Sequence, residues 1–184
     1  MKIGSVRVMG DMLADTWQRV HSTTVAGSAV TSITISGLDG DTAEEYILRA
    51  RIIDANAGYY KVTMNTDTSG GHYGLQRVIG NSTTAGAYRN VGVDYIQICN
   101  GVSVANGEQS LVDMQFWAKS GFIRTGTLVE SIGIATTTIT QIGLLGFSWN
   151  NTTDNITQIV LTAGAANGFA IGTVVELYAR KSKV

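Results

Sequence analysis

The sequence predicts an all-β protein, an antiparallel two-sheet sandwich of jelly-roll-like form, and three features of residue usage predict it. Val, Ile and Thr, at 17, 17 and 22, make up 56 of the 184 residues, against only 10 Leu. Their branched Cβ stiffens χ1 and suits a pleated surface better than a helix. Glycine at 22 and asparagine at 10 supply the positive-φ positions of tight turns. Proline is absent, so Gly, Asn and Asp must build those turns. Many short strands joined this way read as a sandwich or a barrel.

Residues 1–27 are mixed in pattern and read as an N-terminal arm, with a short helix expected around Asp11 to Trp17. Val30 to Ser36 is a strand with Ile33 and Ile35 on one face, and Gly37-Leu38-Asp39-Gly40-Asp41-Thr42 is dense in turn formers. Glu45 to Asp54 alternates, with Tyr46, Leu48, Ala50 and Ile52 inward. Asn56-Ala57-Gly58 then predicts a hairpin into Tyr59 to Asn65, where Tyr60, Val62 and Met64 share a face. Thr66 to Gly74 and Gly80 to Ala87 are rich in Ser, Thr and Gly and read as loops. Tyr88 to Val93 and Tyr95 to Cys99 are short strands, and Asn100-Gly101 and Asn106-Gly107 are turn dipeptides. Ser110 to Lys119 sets Val112, Met114, Phe116 and Ala118 against Leu111, Asp113, Gln115 and Trp117. Phe122 to Thr125, Leu128 to Ala135 and Ile142 to Trp149 are further strands, followed by a polar turn over Asn150 to Asn155. Ile156 to Leu161 and Gly172 to Arg180 close the set, for about ten strands. No linker divides the chain, so residues 28–184 are read as one sandwich domain behind the arm 1–27.

Charge narrows the function classes. Thirteen basic against fourteen acidic residues give a formal net charge of −1, too little positive charge for a nucleic-acid binder or a basic membrane-surface protein. No apolar run approaches the roughly 18 residues that cross a bilayer. Met1-Lys2-Ile3-Gly4-Ser5-Val6-Arg7 lacks the apolar core of a secretory signal, so Sec export is not expected. The single cysteine, Cys99, has no internal disulfide partner, which suits a reducing compartment.

The residues of chemistry are thinly spread. His21 and His72 lie in different predicted contexts, without a third metal ligand at motif spacing, and read as solvated residues. Cys99 has no predicted histidine partner and reads as a small buried residue. Asp39, Asp41, Glu44 and Glu45 offer oxygens for calcium but lack the spacing of a twelve-residue binding loop, and a turn held by Asx hydrogen bonds is the better explanation. Asn81, Asn150, Asn151 and Asn155 open Asn-x-Ser/Thr triplets that read as accidents of composition. Nucleotide-binding and nucleophile-elbow motifs are absent, and a glycan hydrolase would need two facing carboxylates that sequence does not reveal. The expectation is a protein that is not an enzyme and carries no cofactor and no metal. Aromatic side chains are the remaining candidates, because flat rings can meet a glycan. Trp117 leads, placed beside Asp113 and Gln115, with Trp149 and Tyr88 behind it; the competing explanation is that such rings fill cores and subunit interfaces. The cationic run Arg180-Lys181-Ser182-Lys183 reads as a solvated end.

Two segments carry a resemblance. Ser32-Ile33-Thr34-Ile35-Ser36-Gly37-Leu38-Asp39-Gly40-Asp41-Thr42, followed by Tyr46-Ile47-Leu48, resembles the opening strand and turn of small bacteriophage virion proteins. Asn155-Ile156-Thr157-Gln158-Ile159, through Gly168 and Gly172-Thr173 to Glu176-Leu177-Tyr178-Ala179-Arg180, resembles their closing pair of strands, with Gly-Thr where Gly-Ser is usual. The two cover about 40 residues, and the middle of the chain has no counterpart. The resemblance implies a structural protein of the virion, made in the host cytoplasm, chiefly a capsid decoration or cement protein. It would contact itself as a homo-oligomer, a trimer being favoured, and the major capsid protein or other virion proteins. The alternative it leaves is a tail or fibre protein whose sandwich binds a host-surface glycan. In the decoration or cement protein, residues 1–27 are expected to make assembly contacts, by adding a strand to a neighbour's sheet edge.

Overall fold

The computed structural model describes residues 16–55, 58–99 and 107–180. Twelve strands and one helical turn occur among them: β1 (Gln18–Thr24), β2 (Ser32–Ser36), α1 (Gly40–Ala43), β3 (Glu45–Ile53), β4 (Tyr60–Met64), β5 (Tyr73–Asn81), β6 (Thr84–Val93), β7 (Ile96–Ile98), β8 (Gln109–Trp117), β9 (Arg124–Ala135), β10 (Thr138–Trp149), β11 (Gln158–Ala163) and β12 (Val174–Arg180). They form two antiparallel sheets, one of eight strands in the order β1-β12-β3-β8-β9-β10-β5-β6 and one of four in the order β2-β11-β4-β7. The protein is an all-β sandwich. The chain changes sheets repeatedly along its length, which is the jelly-roll-like winding the sequence predicts, although the strands divide unequally.

Period-two alternation sets the core. In β3, Tyr46, Leu48, Ala50 and Ile52 are buried; opposite them in β8 stand Phe116, Met114, Val112 and Ser110, also buried. Ile33 and Ile35 of β2, Val62 and Met64 of β4, and Ile159 and Leu161 of β11 supply the facing layer. Two tyrosines bridge the layers without stranding a polar atom. The Tyr73 hydroxyl accepts from the Met64 N–H (3.0 Å) and donates to the Asp67 carbonyl (3.1 Å). The Tyr60 hydroxyl donates to the Asp54 carboxylate (2.7 Å). Burial raises both phenols above their ordinary range.

Several expectations need correction. β3 and β4 do not form a hairpin: β3 pairs with β12 and β8 in the large sheet, β4 with β11 and β7 in the small one. Both strands are apolar on their inward face, and facing each other across the core buries that surface where pairing side by side would not. The expected loop at 80–87 is a hairpin tip, with Ser82-Thr83 between β5 and β6, and residues 75–79, left unassigned by the sequence pattern, run through β5. Residues 18–24 of the expected arm are β1, the edge strand of the large sheet, paired with β12 of its own chain. The helix expected at Asp11 to Trp17 falls outside the described residues except for Thr16 and Trp17, which are not helical, and so does nearly all of the pair of turns at 100–107. No helix among the described residues is long and apolar enough to cross a membrane.

The turn from β4 to β5 carries a partly buried carboxylate, Asp67. Asp67 accepts from His72 Nδ1 (2.6 Å) and Trp149 Nε1 (2.8 Å) through one oxygen and from the Ser69 N–H (2.9 Å) through the other. Burial raises its pKa, but the hydrogen bonds from His72, Trp149 and Ser69 outweigh that and hold it at about 2, below the ordinary 3.8. The folded carboxyl therefore binds a proton less readily than the unfolded one. Its stabilisation is complete above the unfolded value and is lost as pH falls through the folded one. Thermal midpoints should drop between about pH 4 and pH 2, and Asp67→Asn should flatten that part of the profile. An unchanged slope in the variant would remove Asp67 as the cause.

Candidate functional site

The three aromatic candidates reach three different environments. Trp149, at the end of β10, is fully buried, so its ring cannot be offered to a glycan. It stacks on Tyr73 at 6.3 Å, lies 5.1 Å from the Arg124 guanidinium and donates to Asp67. Core burial explains this ring better than ligand binding does, and Trp149 is withdrawn as a candidate. Arg124 beside it is also buried, yet satisfied: it donates to the carbonyls of Ala118, Asn151 and Asp154.

Trp117 ends β8 on the outer face of the large sheet and is 53% exposed. Phe122 and Ile123 lie in the same shallow cavity of about 300 Å³, rimmed by the Glu44–Lys119 ion pair at 2.7 Å. Tyr88 is also half exposed, but it belongs to the inner face of the same sheet, where it pairs across strands with Arg77. Trp117 and Tyr88 thus point away from opposite faces and form no common site.

The carboxylates considered for calcium are spent on the turn. Asp39 caps α1, accepting from the Thr42 N–H (3.2 Å), and binds the Asn155 side chain (2.9 Å). Those Thr42 and Asn155 bonds hold its pKa below the usual value. Asp41 accepts from the Ser120 N–H (2.6 Å), Glu44 pairs with Lys119, and Glu45 pairs with Arg180 and Gln115. His21 contacts Thr23 and His72 contacts Asp67. Among the described residues no three His, Cys, Asp or Glu side chains gather as a metal site. Cys99 is buried, and burial beside Glu130 pushes its thiol well up, the opposite of an activated nucleophile.

A further exposed feature of the described residues emerges when neighbouring strands are set in register. On the outer face of the large sheet, register aligns Val78, Leu144 and Val129 in one cross-strand row that continues into Asp113, Arg49 and Glu176. The neighbouring row runs Gly80, Ile142, Ser131, Leu111 and Arg51. Val78, Leu111, Val129, Ile142 and Leu144 are each 47–58% exposed and adjoin one another. Their combined open area is about 500 Å², at the upper end for a monomer surface. The signal in the sequence is the run Ile142-Gly143-Leu144-Leu145-Gly146-Phe147, apolar on both faces of its strand.

No family model matches the chain, and no curated protein matches its sequence. Among solved structures it is similar to the galectin LEC-6 of Caenorhabditis elegans, at 9% identity and a TM-score of 0.38, over 88% of this chain and 96% of that one. It is also similar to a mutant of the alginate lyase Aly36B in complex with an alginate tetrasaccharide, at 12% identity and a TM-score of 0.31, over 89% and 81%. At such distances neither carries a function over to this chain.

Proposed function

We propose that the protein is a non-enzymatic structural component of a bacteriophage particle, a capsid decoration or cement protein that associates with copies of itself. The observation that carries the self-association is the apolar field of Val78, Leu111, Val129, Ile142 and Leu144. A standard interface buries about 800 Å² per partner, and near 65% of that is apolar in homodimers, close to what this field offers. The occupant argued for is a second copy of this chain: the charges that border the field are already paired within the chain, Arg49 with Asp113 and Glu176 with Arg19, so the field itself offers an apolar surface that an identical apolar surface can cover. Support for the particle comes from the resemblance of residues 32–48 and 155–180 to virion proteins. A field meeting itself builds a dimer; the trimer expected from that resemblance needs the field to meet a different surface instead, and the Trp117–Phe122–Ile123 cluster is one that is exposed and apolar.

Light scattering on the full-length protein is expected to give a closed oligomer, and Leu144→Glu is expected to give a monomer with an unchanged circular-dichroism spectrum. A wild-type monomer at all concentrations would overturn the self-association. A second reading, a tail or fibre protein that binds a host glycan, is favoured by the exposed Trp117 ring beside Phe122. It expects glycan-array binding that Trp117→Ala abolishes.

A further inference from the structure

The large sheet is wider than the small one, and its last hairpin overhangs: β6 contains no buried residue. On the inner side of the overhang the register sets Arg77 against Tyr88, Ile79 against Gly86 and Asn81 against Thr84. These six residues line a cavity of about 650 Å³.

Arg77 is the unusual member. Only 7% of it is exposed, and its Nη1 has no hydrogen-bond partner among the described residues. Glu130 feels its charge, yet the two form no ion pair. Arg77 lines the cavity, and its charge there suits a carboxylate, which a guanidinium fork can bind with parallel N–H bonds. Tyr88 lies over the same group, its ring centroid 5.7 Å from the guanidinium carbon. Gly86 lets the ring settle there: a Cβ at that position would come within 3.1 Å of Tyr88 Cε2. Beside apolar Ile79 and Ala85, the rest of the wall carries the Asn81 amide and the Thr84 hydroxyl, which both donate and accept. One cationic fork, one flat aromatic face and a rim of two-way hydrogen-bonding groups match a ring that carries a carboxylate, apolar C–H faces and several hydroxyls.

We propose that the cavity between Arg77 and Tyr88 binds a carboxylate-bearing sugar, its carboxylate on Arg77, its ring face on Tyr88 and its hydroxyls toward Asn81 and Thr84. This site lies on the opposite face of the sheet from Trp117 and is independent of the self-association field. The test is calorimetric titration of the full-length protein with D-glucuronate, D-glucose and acetate. Glucuronate is expected to bind about tenfold or more tightly than either other probe, a difference of about 1.4 kcal/mol. Tyr88→Ala, at an exposed position, should weaken glucuronate at least about tenfold, as should Arg77→Lys, which keeps the charge and loses the fork. Ile171→Ala, exposed and outside this cavity, should leave it unchanged. Absence of glucuronate binding in the millimolar range would overturn the proposal. Equal binding of acetate would overturn recognition of the ring, equal binding of glucose would overturn the role of the charge, and an unaffected Tyr88→Ala variant would overturn the location.

Discussion

Trp149→Ala is expected to lower the unfolding free energy by about 3–5 kcal/mol, the range for removing a large aromatic from a core. The loss has three parts. The indole is fully buried, so its removal opens a cavity between β10 and the turn before β5. Its stacking on Tyr73 and its contact with Arg124 disappear. Its N–H no longer reaches Asp67, which leaves that carboxylate with fewer donors. Trp149→Phe, which keeps most of the ring but drops the N–H, should cost nearer 1–2 kcal/mol. Trp117→Ala, on the open outer face, should stay within about 0.5 kcal/mol. Urea unfolding of the three variants measures the contrast. A loss at Trp149 no larger than at Trp117 would contradict the burial.

Gly126→Ala is the second large effect, and it adds one methyl group. A Cβ at residue 126 would stand 2.4 Å from the Gln115 carbonyl oxygen, 2.5 Å from Phe147 Cζ and 2.6 Å from Phe116 Cβ. The first of these is backbone of the paired strand β8, and the other two belong to Phe116 and Phe147, core phenylalanines whose rings pack tilted against each other. None can retreat without moving the sheet, so the expected cost is about 3 kcal/mol, at the top of the overpacking range. Gly146, on the adjacent strand β10 opposite Thr127, is the control, because a Cβ there meets nothing within 4 Å. Gly146→Ala should be neutral or slightly stabilising, within about 0.5 kcal/mol. Denaturation midpoints separate the two, and equal costs would count against the packing described at Gly126.

The fold class was legible because alternation is a local property. Tyr46 to Ile52 and Val112 to Ala118 declare their inward faces within single strands, and the structure buries those residues. Pairing is not local. Whether β3 meets β4 beside it or across the core depends on which partners cover each edge, and β12, about 120 residues later, takes the place a hairpin partner would have had. β5 escaped notice because Gly74, Gln76 and Gly80 break its pattern, yet these are its outer-face positions and ask for no apolar residue. The aromatic candidates show the same limit. Trp117 and Trp149 both end strands in an aromatic, and only the second layer of the sandwich makes one of them core. Arg77 gave no signal at all, since the cavity that holds it exists only once β6 overhangs the smaller sheet.

β1 and β12 lie side by side, Gln18 against Ala179 and Thr24 against Val174, although they are the first and last strands of the described chain. During synthesis β1 therefore emerges long before the strand that completes it. At roughly 5–20 residues per second the ribosome needs about 8–30 s to reach β12, and for that interval β1 has no partner within its own chain. Its polar composition, with Gln18, Arg19, His21, Ser22, Thr23 and Thr24 filling six of seven positions, keeps the waiting segment from sticking to others. A circular permutant that joins these two strands through a short loop and opens the chain at the polar turn of Asn151 would make them a local pair, and the last event of folding would become one of the first.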